Sequence, residues 1–244
     1  MKLGLQMYSL RDVCKEDYEK SLRFAAECGY EGVEFAGFFD IPAEEMKALL
    51  EKYHLTAMGS HTPWETIDGD FDNMVAYNKT VGNNRIICPG VAMNTEAEVK
   101  AFAEKFNAAS EKLKAEGMTL YYHNHSHEFE ADNGKYLMDI LGENTTPDSL
   151  KFELDVYWVY RGGVNPVRYM KKYADRLDIF HIKDGDKFDG TPVGMGEVDI
   201  DGVLAFAKAH GMAWAVVEAE SGTTPDRQME DVRLSAEYLK DKLS

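Results

Sequence analysis

Positive charge is what this chain has least of: 27 Lys and Arg face 43 Asp and Glu, for a formal net charge of −16 at pH 7. A nucleic-acid partner needs its phosphates neutralised, so this balance opposes nucleic-acid binding, and equally adhesion to an anionic membrane. The acid sits mainly in helical stretches such as Glu44-Glu45 and Glu96 to Glu104, as expected for solvated faces that aid solubility. Cysteine is also scarce. Cys14, Cys28 and Cys88 are an odd number at wide spacing, which points to reduced structural thiols rather than a disulfide frame or a zinc knuckle. No apolar run approaches the roughly 18 residues of a membrane span, and no basic-then-apolar leader opens the chain, so a cytoplasmic location is expected. The first apolar run is followed by Ser9-Leu10-Arg11-Asp12 rather than a G-x-G-x-x-G turn, and there is no Walker A sequence. No Pro/Ser-rich linker or composition break divides the 244 residues, so residues 1–244 are expected to form one domain. The oligomeric state is left open, a homo-oligomer included.

What the chain does have is alternation. Strands are expected at Leu3 to Ser9, Gly32 to Ala36, Thr56 to His61, Arg85 to Cys88, Thr119 to His123, Leu150 to Asp155, Leu177 to Lys183 and Ala213 to Glu218. Helices are expected between them: Glu16 to Cys28, Pro42 to Tyr53, Phe71 to Val81, Thr95 to Ala115, Lys135 to Leu141, Pro166 to Tyr173, Ile200 to His210 and Asp226 to Lys240. Several stop at glycine (Gly29, Gly117, Gly211), and Thr95 with Glu98 fits a capping box. Strict alternation implies a parallel sheet covered by helices, and an eightfold repeat predicts a closed (β/α)8 TIM barrel. A doubly wound open sheet is the rival.

In such a barrel the chemistry lies at the C-terminal ends of the strands. Four late strands end there in metal-ligating or proton-moving pairs: His123 and His125, Glu153 and Asp155, His181 and Lys183, Glu218 and Glu220. Residues two apart share a face of a strand. Asp155, His181 and Glu218 end neighbouring strands, and His123 would complete a four-residue site for one divalent ion: Mn, Co, Zn, Fe or Mg. His125 could be the ligand in its place, or a free acid/base. Glu153, Lys183, Glu218 and His125 are the acid–base candidates. Gln6 and Tyr8, Glu34 and His61 lie at earlier strand ends. Substrate contacts are expected from Tyr8, Arg11, Glu34, His61, Trp64 and Trp158, with Trp214, at the opposite end of its strand, left to packing. Two glycine-bearing loops, Tyr160 to Gly163 and Gly190 to Glu197, have the composition of segments that close over a ligand. Asp184, Asp186 and Glu220 are expected in loops.

These segments together, with Gly4 to Asp12, Tyr122-His123-Asn124-His125, Phe152-Glu153-Leu154-Asp155-Val156, His181-Ile182-Lys183-Asp184 and Val193 to Asp199, resemble the xylose isomerase-like TIM-barrel superfamily of sugar isomerases and epimerases, which includes inosose dehydratases. The resemblance covers nearly the whole chain. It implies one divalent ion held by Glu, Asp, His and Glu from the last four strands; Asp155, His181 and Glu218 match, and His123 stands where the epimerases have Glu. It implies a divalent-metal-dependent isomerase or epimerase that removes a proton next to a sugar carbonyl and passes through an enediolate. The alternatives are a dehydratase or lyase acting on a keto-inositol or 3-keto-glycoside, and a non-catalytic sugar-binding barrel. A small sugar or polyol is the expected partner.

Overall fold

The computed structural model describes residues Met1–Leu243. Eight parallel strands close in chain order: β1 (Lys2–Gln6), β2 (Gly32–Phe35), β3 (Thr56–His61), β4 (Arg85–Cys88), β5 (Thr119–His123), β6 (Lys151–Asp155), β7 (Ile179–Ile182) and β8 (Trp214–Val217). β1 pairs with β2 on one side and β8 on the other, so the barrel has no free edge. Around it lie α1 (Tyr18–Glu27), α2 (Ala43–Tyr53), α3 (Phe71–Val81), α4 (Glu96–Ala115), α5 (Leu137–Glu143), α6 (Pro166–Lys172), α7 (Ile200–Ala209) and α8 (Pro225–Leu239). The predicted (β/α)8 barrel is the fold.

The strands are short, branched and aromatic because both faces are covered. Ile179-Phe180-His181-Ile182 and Trp214-Ala215-Val216-Val217 are buried at every position. Their outward residues join the layer beneath the helices. Their inward residues make a separate plug: Met58, Ile87, Tyr121, Ile179, Trp214 and Val216. Trp214 is its largest member, and β1 and β2 make room for it with glycine. A Cβ on Gly32 would lie 2.7 Å from the Trp214 ring and 2.9 Å from the Thr56 carbonyl. This plug fills the barrel below its C-terminal mouth.

The boundaries differ from expectation where side chains intervene. β1 stops at Gln6 because the Gln6 side chain accepts the Tyr8 N–H at 3.0 Å and turns Met7–Leu10 into a 3-10 helix. A helical turn at Arg11–Glu16 precedes α1, which is capped by Asp17. Two short helices, Trp64–Gly69 and Val156–Arg161, stand where loops are expected. The second is started by Asp155, whose Oδ1 accepts from Trp158 N at 2.9 Å. The Thr95–Glu98 capping box is present on α4. Lys135–Tyr136 is a strand of a small hairpin with Ala131–Asp132, so the expected helix begins at Leu137.

Candidate metal centre

Closure of the barrel brings the four late strand ends to one place. His123, Asp155, His181 and Glu218 each offer one ligand atom, all within 4.8 Å of one another, and all four residues are buried. His61, Glu153, His123 and His181 form a second, overlapping group. The two groups share imidazoles, and the rings have two sides. His181 Nδ1 lies 2.9 Å from Glu218 Oε2, while its Nε2 lies 2.8 Å from Glu34 Oε1. Gln6 donates to the same Glu34 oxygen at 2.6 Å. His123 Nδ1 is 3.6 Å from Glu153 Oε2, too far for a hydrogen bond, while Glu153 Oε2 lies 3.1 Å from His61 Nε2. Glu34 and Glu153 thus back the rings, as carboxylates commonly do behind metal-ligating histidines.

The residues fit a cation. His123 Nδ1, Asp155 Oδ2, Glu153 Oε1 and Glu34 Oε2 are buried with no hydrogen-bond partner. Each such atom costs on the order of 1–3 kcal/mol. An ion held by the four-residue group would offset that cost at His123 and Asp155, and such donors suit Mn, Co, Zn or Fe and, less well, Mg. Electrostatics point the same way. Burial, followed by the charge of Glu218, pushes Asp155 up to about 7 against the pull of Lys183. Burial and the neighbouring Glu34 charge push Glu153 up to about 7. Burial also opposes ionisation of Glu218, but Lys183 and His181 outweigh it and hold that carboxyl well below its usual range. Burial, then the neighbouring His181 and His61, holds His123 well below the ordinary histidine value, so its ring is neutral and able to ligate. Burial would lower His181 too, but Glu153 and Glu34 beside it reverse the direction.

Above the cluster opens a cavity of about 400 Å³. One wall comes from the mouths of β1 to β4 and is mostly apolar: Tyr8, Ala36, Gly37, Pro63 and Pro89, with His61 at its floor. The other comes from β5 and β8 and is polar: His123, His125, Glu218 and Glu220. His125 is neutral at physiological pH because burial lowers it to about 4.

The expected substrate contacts divide. Tyr8, which is 44% exposed, and His61 line the cavity. Trp158 stands beside it, 5.6 Å from the His125 ring and 4.5 Å beneath Lys183 Nζ. Glu34 does not reach the cavity; it is wholly buried behind His181. Trp64 is not at the rim either, because its helical turn rotates it against Phe102 and Phe106 in the outer core. The Arg11 guanidinium gives Nη2 to the Gly222 carbonyl at 2.7 Å and lies over Tyr8 at 5.2 Å, with its Nη1 buried and unpartnered. Glu153 lies in the second group, on His61 Nε2 at 3.1 Å. Lys183 is buried and paired with Glu220, with Glu218 Oε2 at 3.8 Å. Glu220 lies in the loop after β8, as expected, and is part of the cavity wall.

Two structural carboxylates escape a reading by strand faces. Glu128 is wholly buried and holds the His125 backbone N–H at 2.8 Å and the Tyr122 hydroxyl at 2.7 Å. Asp184 takes four backbone N–H groups: Gly185 at 2.9, Gly194 at 2.9, Gly196 at 3.0 and Val198 at 3.1 Å. The Gly190 to Glu197 loop is thus pinned from below rather than built to close. Glu128 carries a faint sequence signal, three residues past His125; Asp184 is distinguished only by the glycines that follow it.

A family model described as xylose isomerase-like TIM barrel matches residues 22–242. A crystal structure of a sugar phosphate isomerase/epimerase from Parabacteroides distasonis is 29% identical, covers 98% of this chain and 93% of its own, and superposes with a TM-score of 0.84. An inosose dehydratase from Halalkalibacterium halodurans is 24% identical over 88% of this chain and 84% of its own length. The IOLI protein, whose crystal structure is described with a zinc atom, shares 16% identity, covers 100% of this chain and 98% of its own, and has a TM-score of 0.76.

Proposed function

The chain belongs to the xylose isomerase-like TIM barrel family, and from that premise we propose that it is a divalent-metal-dependent lyase, eliminating a β-oxygen substituent from a keto-polyol or keto-sugar. One observation carries the choice. β5 contributes a buried, neutral imidazole, His123, so Glu218 is the one carboxylate that both belongs to the four-residue metal group and lines the cavity. Epimerisation needs a base on each face of the substrate carbon; elimination can run with one. The inosose dehydratase relatives support the same reading.

His123, Asp155, His181 and Glu218 would hold the ion, with Glu34 and Glu153 orienting the rings. The ion supplies Lewis acidity at the carbonyl oxygen. Glu218, ionised at neutral pH, takes the proton from the carbon next to the carbonyl. The C–H electron pair passes into the carbonyl and returns to expel the oxygen on the β carbon, and the Glu218 carboxyl hands its proton to that leaving oxygen. Water or an alcohol departs, an enone remains, and the charge balances. Lys183 keeps Glu218 anionic, and His125 orients a substrate hydroxyl from the same polar wall.

A second reading, sugar isomerisation by the same proton abstraction, is favoured by the 29% identical isomerase/epimerase. The test is incubation of the metal-loaded protein with a keto-inositol and an aryl 3-keto-glucoside in deuterated water. Elimination gives an enone and a released hydroxyl compound, with a loss of about 10²–10⁴-fold in Glu218→Gln. An isomer carrying deuterium, without a released group, would move the assignment to the second reading. Full activity in Glu218→Gln would end both.

A further inference from the structure

We infer that the site takes an uncharged, two-ended substrate, with an apolar substituent along the β1–β4 wall, and that it rejects sugar phosphates. This rests on the carbohydrate reading above and adds the substrate class. Three observations carry it.

First, no Lys or Arg is among the described residues that line the cavity. The nearest cations lie outside that lining: Lys183 is buried in its pair with Glu220, Arg11 gives Nη2 to the Gly222 carbonyl, and Arg161 stands over Trp158 at 5.1 Å. The charges that do face the cavity are Glu218 and Glu220. Away from the ion, a phosphate dianion would meet these carboxylates with no cationic side chain among the lining residues to pair with it.

Second, the backbone donors that a glycine-rich loop could offer a phosphate are already taken. Successive N–H groups make an anion-binding concavity only while they lack a partner. Here Gly185, Gly194, Gly196 and Val198 all donate to Asp184, so the protein supplies its own anion.

Third, the cavity has two chemistries on opposite sides. Histidine and carboxylate from β5 and β8 suit the hydroxyls and carbonyl of an oxidised ring. Tyr8, Ala36, Gly37, Pro63 and Pro89 offer a ring face and C–H surface, which suits an apolar leaving group and gives a sugar hydroxyl almost nothing to bind.

Unreactive ligands test this without turnover. Phenyl β-glucoside, glucose and glucose 6-phosphate are titrated into the metal-loaded protein, with binding read by ligand-observed NMR. Phenyl β-glucoside should bind at least about tenfold tighter than glucose, and glucose 6-phosphate more weakly than glucose. Ala36→Asp, which puts a carboxylate on the apolar wall, should abolish the phenyl advantage while metal content and melting temperature stay as in the wild type. Equal affinity for the phenyl glucoside and glucose, no binding of the phenyl glucoside, or tighter binding of the phosphate would each overturn the inference. If the ligands bind in the stated order but no keto compound is eliminated, only the proposed lyase activity fails.

Discussion

Glu34→Gln is the sharpest probe of the metal centre, because it changes a residue that touches neither the cavity nor, on this assignment, the ion. Glu34 is wholly buried, and its Oε1 accepts from Gln6 at 2.6 Å, His181 at 2.8 Å and His61 at 3.0 Å. Glutamine keeps the shape and an acceptor oxygen but removes the charge. A hydrogen bond to a charged group contributes about 1.5–3 kcal/mol and a neutral one about 0.5–1.5. The His181 contact should therefore weaken by about 1–1.5 kcal/mol, or roughly 5- to 13-fold. Loss of the carboxylate that raises ligand basicity adds to this, so metal affinity should fall by about 10- to 100-fold. The assay is competition between the protein and a chromophoric chelator for Co²⁺ or Zn²⁺, beside a melting curve that confirms folding. A folded Glu34→Gln protein with wild-type metal affinity would refute the backing role and return Glu34 to plain packing.

Three further outcomes follow from the same structure. Asp155 and Glu153 are pushed up to about 7 without an ion, so metal binding near neutral pH should release protons, seen by calorimetry in buffers of different ionisation enthalpy. A raised carboxyl pKa stabilises the fold below its unfolded value of about 4 and loses that contribution as pH rises through about 7. The melting-temperature gain on adding a divalent ion should accordingly be larger at pH 8 than at pH 5.5. Asp184→Ala strips the acceptor from four backbone N–H groups and should cost about 3 kcal/mol in urea unfolding, with new protease cleavage between Gly190 and Glu197. Gly32→Ala should cost about 1–3 kcal/mol by driving a methyl into the Trp214 ring and the Thr56 carbonyl, and only the ring's share should be recovered in a Trp214→Phe background.

The parts of the site that could be read in the sequence are those fixed by strand periodicity. A residue at the C-terminal end of an apolar run has one address in a closed parallel barrel, so His123, Asp155, His181 and Glu218 could be grouped before any coordinates. Periodicity says less about depth. Glu34 and Glu153 are both wholly buried, because their partners arrive from strands far away in sequence. Trp64 leaves the rim for a local reason: the helix Trp64–Gly69 turns its ring toward α4. The glycines at 190–197 suggest freedom to move, and the carboxylate that removes that freedom is six residues earlier, at Asp184.

That carboxylate has a consequence for how the protein meets its ligand. A loop ordered only on binding spends part of its interaction energy on conformational entropy. Here the ordering of residues 194 to 198 is completed during folding, since Asp184 is buried and fully engaged in holding their amides. The loop after β7 is therefore shaped before any ligand arrives. The loops after β1 to β4, with the exposed Tyr8 and Pro63, are the side on which a change of substrate could be made without dismantling the metal centre.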